Sequence, residues 1–257
     1  MKNARWLVLV FGLGAVIWGL LVLAARAGGL REGGRYEEHG RYSWPKGCVG
    51  VWTFNEGGTK DWSGNGNDAT LQSGATILNT DGGVLSCNED YASVSAPVWS
   101  GTRPVSLCAW YQVSTVGAGD MRILEIHDTA GNNNKVSIYF ESNPQSFRSA
   151  ATDNGGTVNV ANTNFIHSVG EWYYGVGIEI STTNRVTYVD GGPAGASNTN
   201  TVGAIQSLDG VTLGGLRFNG SIIQQWRGKL DEMMIFERRL SQKESNLLSE
   251  KRGGANR

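Results

Sequence analysis

Short runs of apolar residues, each bounded by turn-forming residues, recur through most of the chain. The run at 48–54 places Trp52 and Phe54 on one face of a strand, because successive side chains of a strand point to opposite faces. The same pattern predicts further strands at 69–72, 75–78, 84–87, 91–94, 105–113, 121–127, 135–141, 157–160, 172–180, 184–190, 211–216 and 226–236. Short strands with frequent turns are typical of an all-β, two-sheet antiparallel sandwich.

The clearest local signal closes the patterned region, at residues 226–249. Four apolar residues at 233–236, bounded by polar ones, predict a buried strand. Ser241 and Glu244 have the spacing of a capping box, in which the serine oxygen accepts from the third amide and the glutamate reaches back. The sequence therefore predicts a last strand that is followed by a short helix at 241–249.

This closing segment resembles the end of laminin-G-like jelly-roll domains in the concanavalin A-like lectin/glucanase superfamily. Further motifs of that family follow in the family's order, including Asp-Trp-Ser-Gly-Asn-Gly-Asn at 61–67. The resembling stretches are 50–58, 61–70, 90–94, 105–110, 188–192 and 226–241. The resemblance implies a jelly roll in which the first and last strands are neighbours, but it implies little about the ligand, because this fold hosts many functions.

The N-terminus carries an apolar run at residues 6–25 behind a short basic stretch. About 20 apolar residues can span a bilayer, whereas Ala-Arg-Ala at 25–27 fits a signal-peptide cleavage site. Either interpretation places the rest of the chain outside the cytoplasm, secreted or attached to a membrane. The predicted organisation is a signal peptide or membrane anchor, a polar Gly-rich linker, the laminin-G-like domain and a tail, at residues 1–27, 28–46, 47–250 and 251–257.

Composition fits a turn-rich domain and argues against a nucleic-acid partner. The chain has 37 glycines, about twice the usual proportion. Residues 28–257 hold 19 basic and 23 acidic residues with no basic stripe, so nucleic acid is not an expected partner. Cys48, Cys87 and Cys108 all fall in predicted strands. Their odd number permits at most one disulfide within the chain, and the pairing stays open.

The loop at 61–68 is a candidate calcium site, since related jelly rolls often hold a structural calcium between such a loop and the terminal strands. Calcium prefers about six to eight oxygen ligands, and this loop is rich in Asp and Asn separated by Gly. The predicted ligands are Asp61, Asn65, Asn67, Asp231 and Glu56. The alternative is that the loop is a set of Asx-turns, in which carboxylates accept directly from backbone amides.

Carbohydrate binding or adhesion is the predicted function, with a glycan or a cell-surface or matrix protein as the partner. Sugar recognition needs an aromatic face together with Asn, Asp or Arg side chains for the hydroxyls. The candidate ligand-binding residues are Trp62, Tyr91, Trp99, Arg122, His127, Asp128, Asn132, Asn133 and Asn134. Trp62 and Trp99 lie in predicted loops, where aromatic side chains are exposed more often than in strands.

Catalysis is disfavoured, because no stretch matches the Glu-x-Asp-x-x-Glu strand of the superfamily's hydrolases. The segment at 125–128 has a single strand carboxylate before a turn. Asp231 and Glu237 share a strand face but lie about 20 Å apart along it. A structural or protein-interaction module and a divergent glycoside hydrolase or lyase remain the alternatives.

Overall fold

The computed structural model describes residues 36–38, 41–55, 58–116, 119–197 and 200–250. The chain divides into two units after Pro45. In the first unit, β1 (Tyr36–Glu38) and β2 (Arg41–Ser43) form an antiparallel pair within the segment predicted as a linker. The predicted signal peptide or anchor, the C-terminal tail and Glu56 lie outside the described residues. No helix in the described part of the chain combines the length and apolar character needed to cross a membrane.

The second unit is built almost entirely from antiparallel strands, as the sequence predicts. Its strands are β3 (Cys48–Trp52), β4 (Thr70–Gln72), β5 (Thr76–Leu78), β6 (Val84–Val94), β7 (Val105–Val113), β8 (Met121–His127), β9 (Lys135–Ser142), β10 (Gln145–Thr152), β11 (Val158–Asn164), β12 (Trp172–Glu179), β13 (Arg185–Val189), β14 (Ala196–Ser197), β15 (Gly210–Leu213), β16 (Leu216–Phe218), β17 (Ser221–Ile223) and β18 (Trp226–Phe236). Helix α1 (Gln242–Ser249) follows.

The predicted strands differ from the observed ones at β6, β10 and β15. The strands predicted at 84–87 and 91–94 are one long strand, β6. Strand β10 was not predicted, although it pairs along its whole length with β9. The strand predicted at 211–216 ends at Leu213, and the chain then enters the short β16–β17 pair.

Two sheets pack face to face. The first sheet has the order β13-β12-β7-β18, after which β3 and the first half of β6 share the far edge of β18, with β5 beyond β6. The second sheet has the order β4-β6-β15-β8-β9-β10-β11-β14. Because β6 contributes its second half to this sheet, one continuous strand links the two.

The inner faces of the sheets form the core. Tyr111 on β7 stacks on Phe147 on β10 with ring centroids 5.6 Å apart, and Trp226 packs edge-on against Tyr111 at 5.8 Å. Gly175 on β12 lies opposite Phe147, where a Cβ atom would come within 2.3 Å of the ring. A glycine is therefore required at this point of β12, because the two sheets approach too closely for any side chain.

The two ends of the domain meet, which confirms the expectation that the first and last strands are neighbours. Strand β3 pairs with β18, with Val51 opposite Met234. The helix cap is also confirmed, since the Ser241 Oγ accepts from the Glu244 amide at 3.3 Å and the Ser241 amide donates to Glu244 Oε2 at 2.8 Å. The three cysteines are free thiols, and burial raises the pKa of Cys87 and of Cys108 to about 12.

The close approach of the sheets at Gly175 gives a stability prediction. Overpacking a core typically costs about 1–3 kcal/mol, so we expect Gly175→Ala to lower the free energy of unfolding by about 2 kcal/mol in urea denaturation. Gly58→Ala is the matched control, because a Cβ atom added there has no neighbour closer than 3.8 Å. Equal stability of the two variants would contradict the inter-sheet contact.

Candidate functional site

The outer face of the second sheet is unusually rich in polar and charged groups. Leu124 and Ile126 of β8 point into the core, so Glu125 and His127 point outward. Arg122 also points outward, because the strand register shifts between Arg122 and Leu124. We call the outward side chains of β8, β9, β10 and β11 the polar face. They are Arg122, Glu125, His127, Lys135, Ser137, Tyr139, Glu141, Ser146, Arg148, Ala150, Thr152, Val158, Val160, Asn162 and Asn164.

The strand register sets Arg122, Tyr139, Arg148 and Asn162 in one row across the polar face. We call this set the arginine row. The Arg122 guanidinium lies over the Tyr139 ring, with its Cζ atom 3.8 Å from the ring centroid. Arg148 forms an ion pair with Glu141 and donates from Nε to the Ser146 Oγ at 2.9 Å. Both arginines are thus held in fixed positions on either side of Tyr139.

A row of short side chains runs beside the arginine row. Ser137 and Ala150 occupy its middle, with Val160 at one end. Lys135 and Thr152 belong to the row beyond it. Serine and alanine project less than the residues on both sides, and both are buried, with Ser137 2% and Ala150 7% exposed, so the row is a narrow strip between longer side chains on β9 and β10. We call it the trough.

A hairpin formed by β16 and β17, residues 216–223, covers one end of the polar face. The Arg217 amide donates to Glu125 Oε1 at 2.9 Å, and the Lys135 Nζ donates to the Arg217 carbonyl at 3.1 Å. At the hairpin tip, Asn132 and Asn219 hydrogen-bond to each other twice. These contacts explain why Glu125 is fully buried although it lies on an outer face.

Burial under the hairpin shifts the ionisation of three groups. It raises the pKa of Glu125 to about 7, against the opposing effect of the Lys135 and Arg122 charges. It lowers the pKa of His127 to about 4, and the charge of Arg217 adds to this effect. Burial also lowers the pKa of Lys135. His127 is therefore neutral near pH 7, whereas Glu125, whose Oε1 lies 3.6 Å from the His127 Nδ1, changes its charge in that pH range.

Several buried polar atoms of this region have no hydrogen-bond partner among the described residues. They are Glu125 Oε2, His127 Nδ1, Arg122 Nε and Nη1, and Arg217 Nε. Buried polar atoms in folded proteins are usually hydrogen-bonded, so a cluster of exceptions is a place where a ligand can supply the partners. This cluster and the trough together make the polar face the candidate binding site.

The structure places three of the predicted ligand-binding residues on this side of the second sheet. Arg122 and His127 belong to the polar face. Tyr91 lies on the outward side of β6, next to Gly215 at the base of the hairpin. These three residues thus lie at or beside the candidate site, and their role in ligand binding stays a prediction.

The turn after β8 has a structural role. The Asp128 Oδ1 accepts from the Ala130 amide at 2.8 Å, which is an Asx-turn. Asn133 donates from its side chain to the Asn154 carbonyl, and Asn134 is buried. Asn132 fixes the hairpin tip. These four side chains support the edge of the polar face, and no contact brings them to the arginine row.

The two loop tryptophans lie away from the polar face. Trp99 is 1% exposed, and its indole N–H donates to the Thr102 carbonyl at 2.9 Å. The expectation that Trp99 is exposed is therefore wrong, because the loop folds its ring into the core. Trp62 is half-buried beside β3 of the first sheet, where its amide donates to the Val51 carbonyl.

Four contributors to the site were missed by the sequence patterns. Tyr139, Glu141, Arg148 and Asn162 lie on β9, β10 and β11. Arg148 was missed because β10 was not predicted, since its inward residues include only one large apolar side chain, Phe147. Asn-Pro at 143–144, between two patterned stretches, is the turn signal that would have revealed this hairpin.

The loop at 61–68 is organised around the Asp61 carboxylate. Its Oδ1 accepts from the amides of Val51 at 3.0 Å and Ser63 at 2.8 Å. Its Oδ2 accepts from the Ser63 hydroxyl at 2.8 Å and the Asn67 amide at 3.0 Å. Four donors thus occupy the oxygens that a calcium ion would need, and this geometry fits the alternative of direct amide capping.

Asn67 meets Asp61 through its backbone amide, which is a donor and not a calcium ligand, and the other described candidates make hydrogen bonds of their own. Asn65 donates from its side chain to the Val49 carbonyl at 3.0 Å, and the Asn67 carbonyl accepts from the Trp52 indole. Asp231 accepts from the neighbouring Glu232 amide at 2.7 Å. Among the described residues, no group of three or more His, Cys, Asp or Glu side chains is placed to hold a metal. The residues present do not fit the ion, and calcium stays a prediction.

The fold defines a class of protein, the two-sheet jelly rolls. A family model, Laminin_G_3, described as concanavalin A-like lectin/glucanases superfamily, matches residues 86–244. This chain belongs to that family, which confirms the resemblance stated from its motifs. No curated protein shows a significant sequence match to the chain.

Solved structures with the same fold include sugar- and receptor-binding domains. Domain 4 of AbnA, a GH43 extracellular arabinanase from Geobacillus stearothermophilus in complex with arabinotriose, is 14% identical, with a TM-score of 0.61 over 79% of this chain and 98% of that domain. The binding domain of botulinum neurotoxin DC in complex with SialylT is 14% identical, with a TM-score of 0.59 over 80% of this chain and 51% of that one.

The same neurotoxin domain in complex with rat synaptotagmin II is 13% identical, with a TM-score of 0.60 over 79% of this chain and 51% of that one. This chain therefore spans about half the length of the neurotoxin domains it matches. At these identities the similarity establishes the fold alone.

The hydrogen bonds of Asp61 predict how the domain responds to calcium. Hydrogen bonds to charged groups are worth about 1.5–3 kcal/mol each, so we expect Asp61→Ala to lower the free energy of unfolding by about 3 kcal/mol. The loss should be the same in EDTA and in millimolar calcium, measured by urea denaturation. Glu237→Ala, an exposed carboxylate of the same sheet, is the control. A wild-type melting temperature that rises with calcium would contradict direct capping and restore the metal site.

The buried Glu125 predicts a pH-dependent stability difference. Its pKa is about 7 in the folded protein and about 4.3 in an unfolded chain, so the folded state binds the proton more tightly. The contribution of Glu125 to stability therefore falls as pH rises from about 4.3 through 7. We expect Glu125→Gln to raise the melting temperature at pH 8 and to give no gain at pH 4.5.

The partly exposed Glu141→Gln is the control for this comparison, and we expect no pH-dependent gain from it. The lowered pKa of His127 acts in all three proteins, so its effect is removed when the variants are compared with the wild type. A Glu125→Gln effect that does not change with pH would contradict the raised pKa.

Proposed function

We propose that this protein is a non-catalytic, extracytoplasmic binding module that recognises carbohydrate on its polar face. The observation that carries this proposal is the arginine row beside the trough. A saccharide chain presents hydroxyl groups that both donate and accept, and it therefore suits a surface where guanidinium, carboxylate and amide groups lie along one depression.

Four side chains of the arginine row and of the row beyond it are accessible to a ligand. Arg148, Glu141 and Asn162 are partly exposed, and Asn164 is exposed. They offer charged donors, a charged acceptor and two amides, which matches the mixed character of sugar hydroxyls. Because they stand on paired strands, their relative positions are fixed before a ligand arrives, which lowers the entropic cost of binding.

The hairpin supplies the aromatic surface that sugar recognition commonly uses. Phe218 is 42% exposed, and its ring lies 5.8 Å from the Lys135 Nζ. It stands at the covered end of the polar face, where an apolar patch of a sugar ring can pack against it. Tyr139 is buried beneath Arg122 and acts instead as a support for that guanidinium.

The comparisons support carbohydrate binding, and the N-terminal sequence supports an extracytoplasmic position. Domains with this fold occur in complex with arabinotriose and with SialylT, so the scaffold is suited to oligosaccharides. The apolar run at 6–25 supports an extracytoplasmic position, with the domain secreted or attached to a membrane. The complex with rat synaptotagmin II supports protein recognition as the second candidate.

Hydrolysis is less well supported by the geometry of the polar face. Glycosidases place their two carboxylates about 5–10 Å apart. Glu125 pairs with Ser137 in the strand register, and Glu141 lies four residues further along the same strand, which is roughly 13 Å. This spacing favours binding over cleavage.

A glycan-array screen of the full chain, with and without chelator, tests the proposed function. We expect a defined set of glycans to bind, and we expect Arg148→Ala to weaken that binding by about tenfold, the loss of one charge-assisted hydrogen bond. Asn162→Ala should weaken it by a smaller factor. Circular dichroism and the melting temperature show whether each variant is folded.

Trp62→Ala is the matched control, because Trp62 lies beside the other sheet. Glycan binding that is lost in this variant and retained in the Arg148 and Asn162 variants would place the site elsewhere. An array without any bound glycan, together with capture of a purified cell-surface protein that Arg148→Ala abolishes, would move the assignment to a protein-interaction module.

A further inference from the structure

We propose that the saccharide recognised on the polar face is acidic, and that the arginine row binds its carboxylate groups. This inference rests on the proposed function and adds the chemical class of the ligand. It follows from the charge of the polar face, from the position of Arg122 and from the contact that Arg148 already makes.

The polar face and its hairpin are positively charged, although the chain as a whole has a formal charge of −1. Four cationic side chains stand against two carboxylates, Glu125 and Glu141. The cationic residues are Arg122, Lys135, Arg148 and Arg217. A concentration of one charge on one face attracts ligands of the opposite sign and raises their rate of association.

Two more carboxylates border the polar face, and both are engaged in local turns. Asp128 accepts from the Ala130 amide, and Asp209 accepts from the Thr129 amide at 2.7 Å and from its hydroxyl at 2.6 Å. They lie beyond the end of β8, past the buried His127. The arginine row crosses the opposite half of β8, at Arg122, so the bordering acids are several residues away from it.

Arg122 is positioned to receive a carboxylate. Its ring partner Tyr139 fixes the plane of the guanidinium, and its amide donates to the Gln224 carbonyl at 2.8 Å. Its Nε and Nη1 have no hydrogen-bond partner within the described part of the chain. Both atoms are buried, but the side chain as a whole is partly exposed. A carboxylate that reaches the exposed edge of this guanidinium forms a charge-assisted hydrogen bond, which is stronger than a hydrogen bond between neutral groups.

The arginine row already binds one carboxylate in this structure. Arg148 pairs with Glu141, whose side chain projects from the next outward position of β9. Arg122 and Arg148 stand one strand away from Tyr139 on either side, so their Cα atoms are roughly 10 Å apart. Both arginines are partly exposed, so a saccharide that lies along the arginine row passes both guanidiniums, and successive acidic groups on such a chain can meet each of them.

A matched pair of ligands tests the charge without changing the sugar backbone. We expect homogalacturonan oligosaccharides to bind the full-length protein at least tenfold more tightly than their fully methyl-esterified forms, measured by calorimetry. The affinity for the acid should fall as salt is raised, while the affinity for the ester should not. Neutral arabinan and sulfated κ-carrageenan oligosaccharides complete the panel.

Variants at Arg122 test whether this residue causes the preference for the acid over the ester. Arg122→Gln should reduce the affinity for the acid about tenfold and leave that for the ester unchanged, whereas Arg122→Lys should retain part of the preference because it keeps the charge. Arg239→Gln, an exposed arginine that follows β18, is the control and should bind like the wild type. Melting temperatures confirm that each variant is folded.

The outcomes separate this inference from the proposed function. Equal binding of acid and ester, or binding of neutral arabinan alone, would overturn the acidic class and leave carbohydrate binding standing. Binding of κ-carrageenan but not of homogalacturonan would overturn the carboxylate as the recognised group. Absence of binding to every saccharide would overturn the proposed function itself.

Discussion

The pairing of β18 with its neighbours is the constraint on which the rest of the domain depends. This strand hydrogen-bonds to β7 along one edge and to both β6 and β3 along the other, so it joins the first strand of the domain to the middle of the chain. Because β6 continues into the second sheet, the register at β18 also sets the register of β15 and β8. A slip of one residue would move every side chain of those strands to the opposite face of the sheet. The Arg122 side chain would then point into the core.

The polar face contains a group whose burial lowers the stability of the folded protein. Glu125 is buried without full hydrogen bonding, and burial of a carboxylate is unfavourable unless it is paired. The hairpin that covers it offsets part of this cost. Its Arg217 amide donates to Glu125, and its Arg217 carbonyl accepts from Lys135. Natural sequences break local rules of this kind mainly at functional sites. The loop beside the first sheet offers a contrast, since the buried carboxylate of Asp61 has four hydrogen-bond donors around it.

The sequence was sufficient for the architecture and insufficient for the site. Alternation and turn residues revealed most strands, and the spacing of Ser241 and Glu244 revealed the helix cap, because these signals are local. The arginine row depends on the register of four strands, which no local pattern records. Trp99 illustrates the same limit, since a loop position favours exposure, yet the fold of its loop buries the ring.

The placement of the candidate site on strands also affects what it can recognise. Loops adapt to a ligand, whereas side chains on a hydrogen-bonded sheet hold fixed spacings and suit a ligand with a regular repeat. The hairpin blocks one end of the polar face, so a chain-like ligand enters over β9, β10 and β11, where Arg148 and Asn162 are accessible. One blocked end and one open end give the site a direction. A saccharide bound there would therefore be oriented, with its first residues against Phe218 and the rest lying along the arginine row.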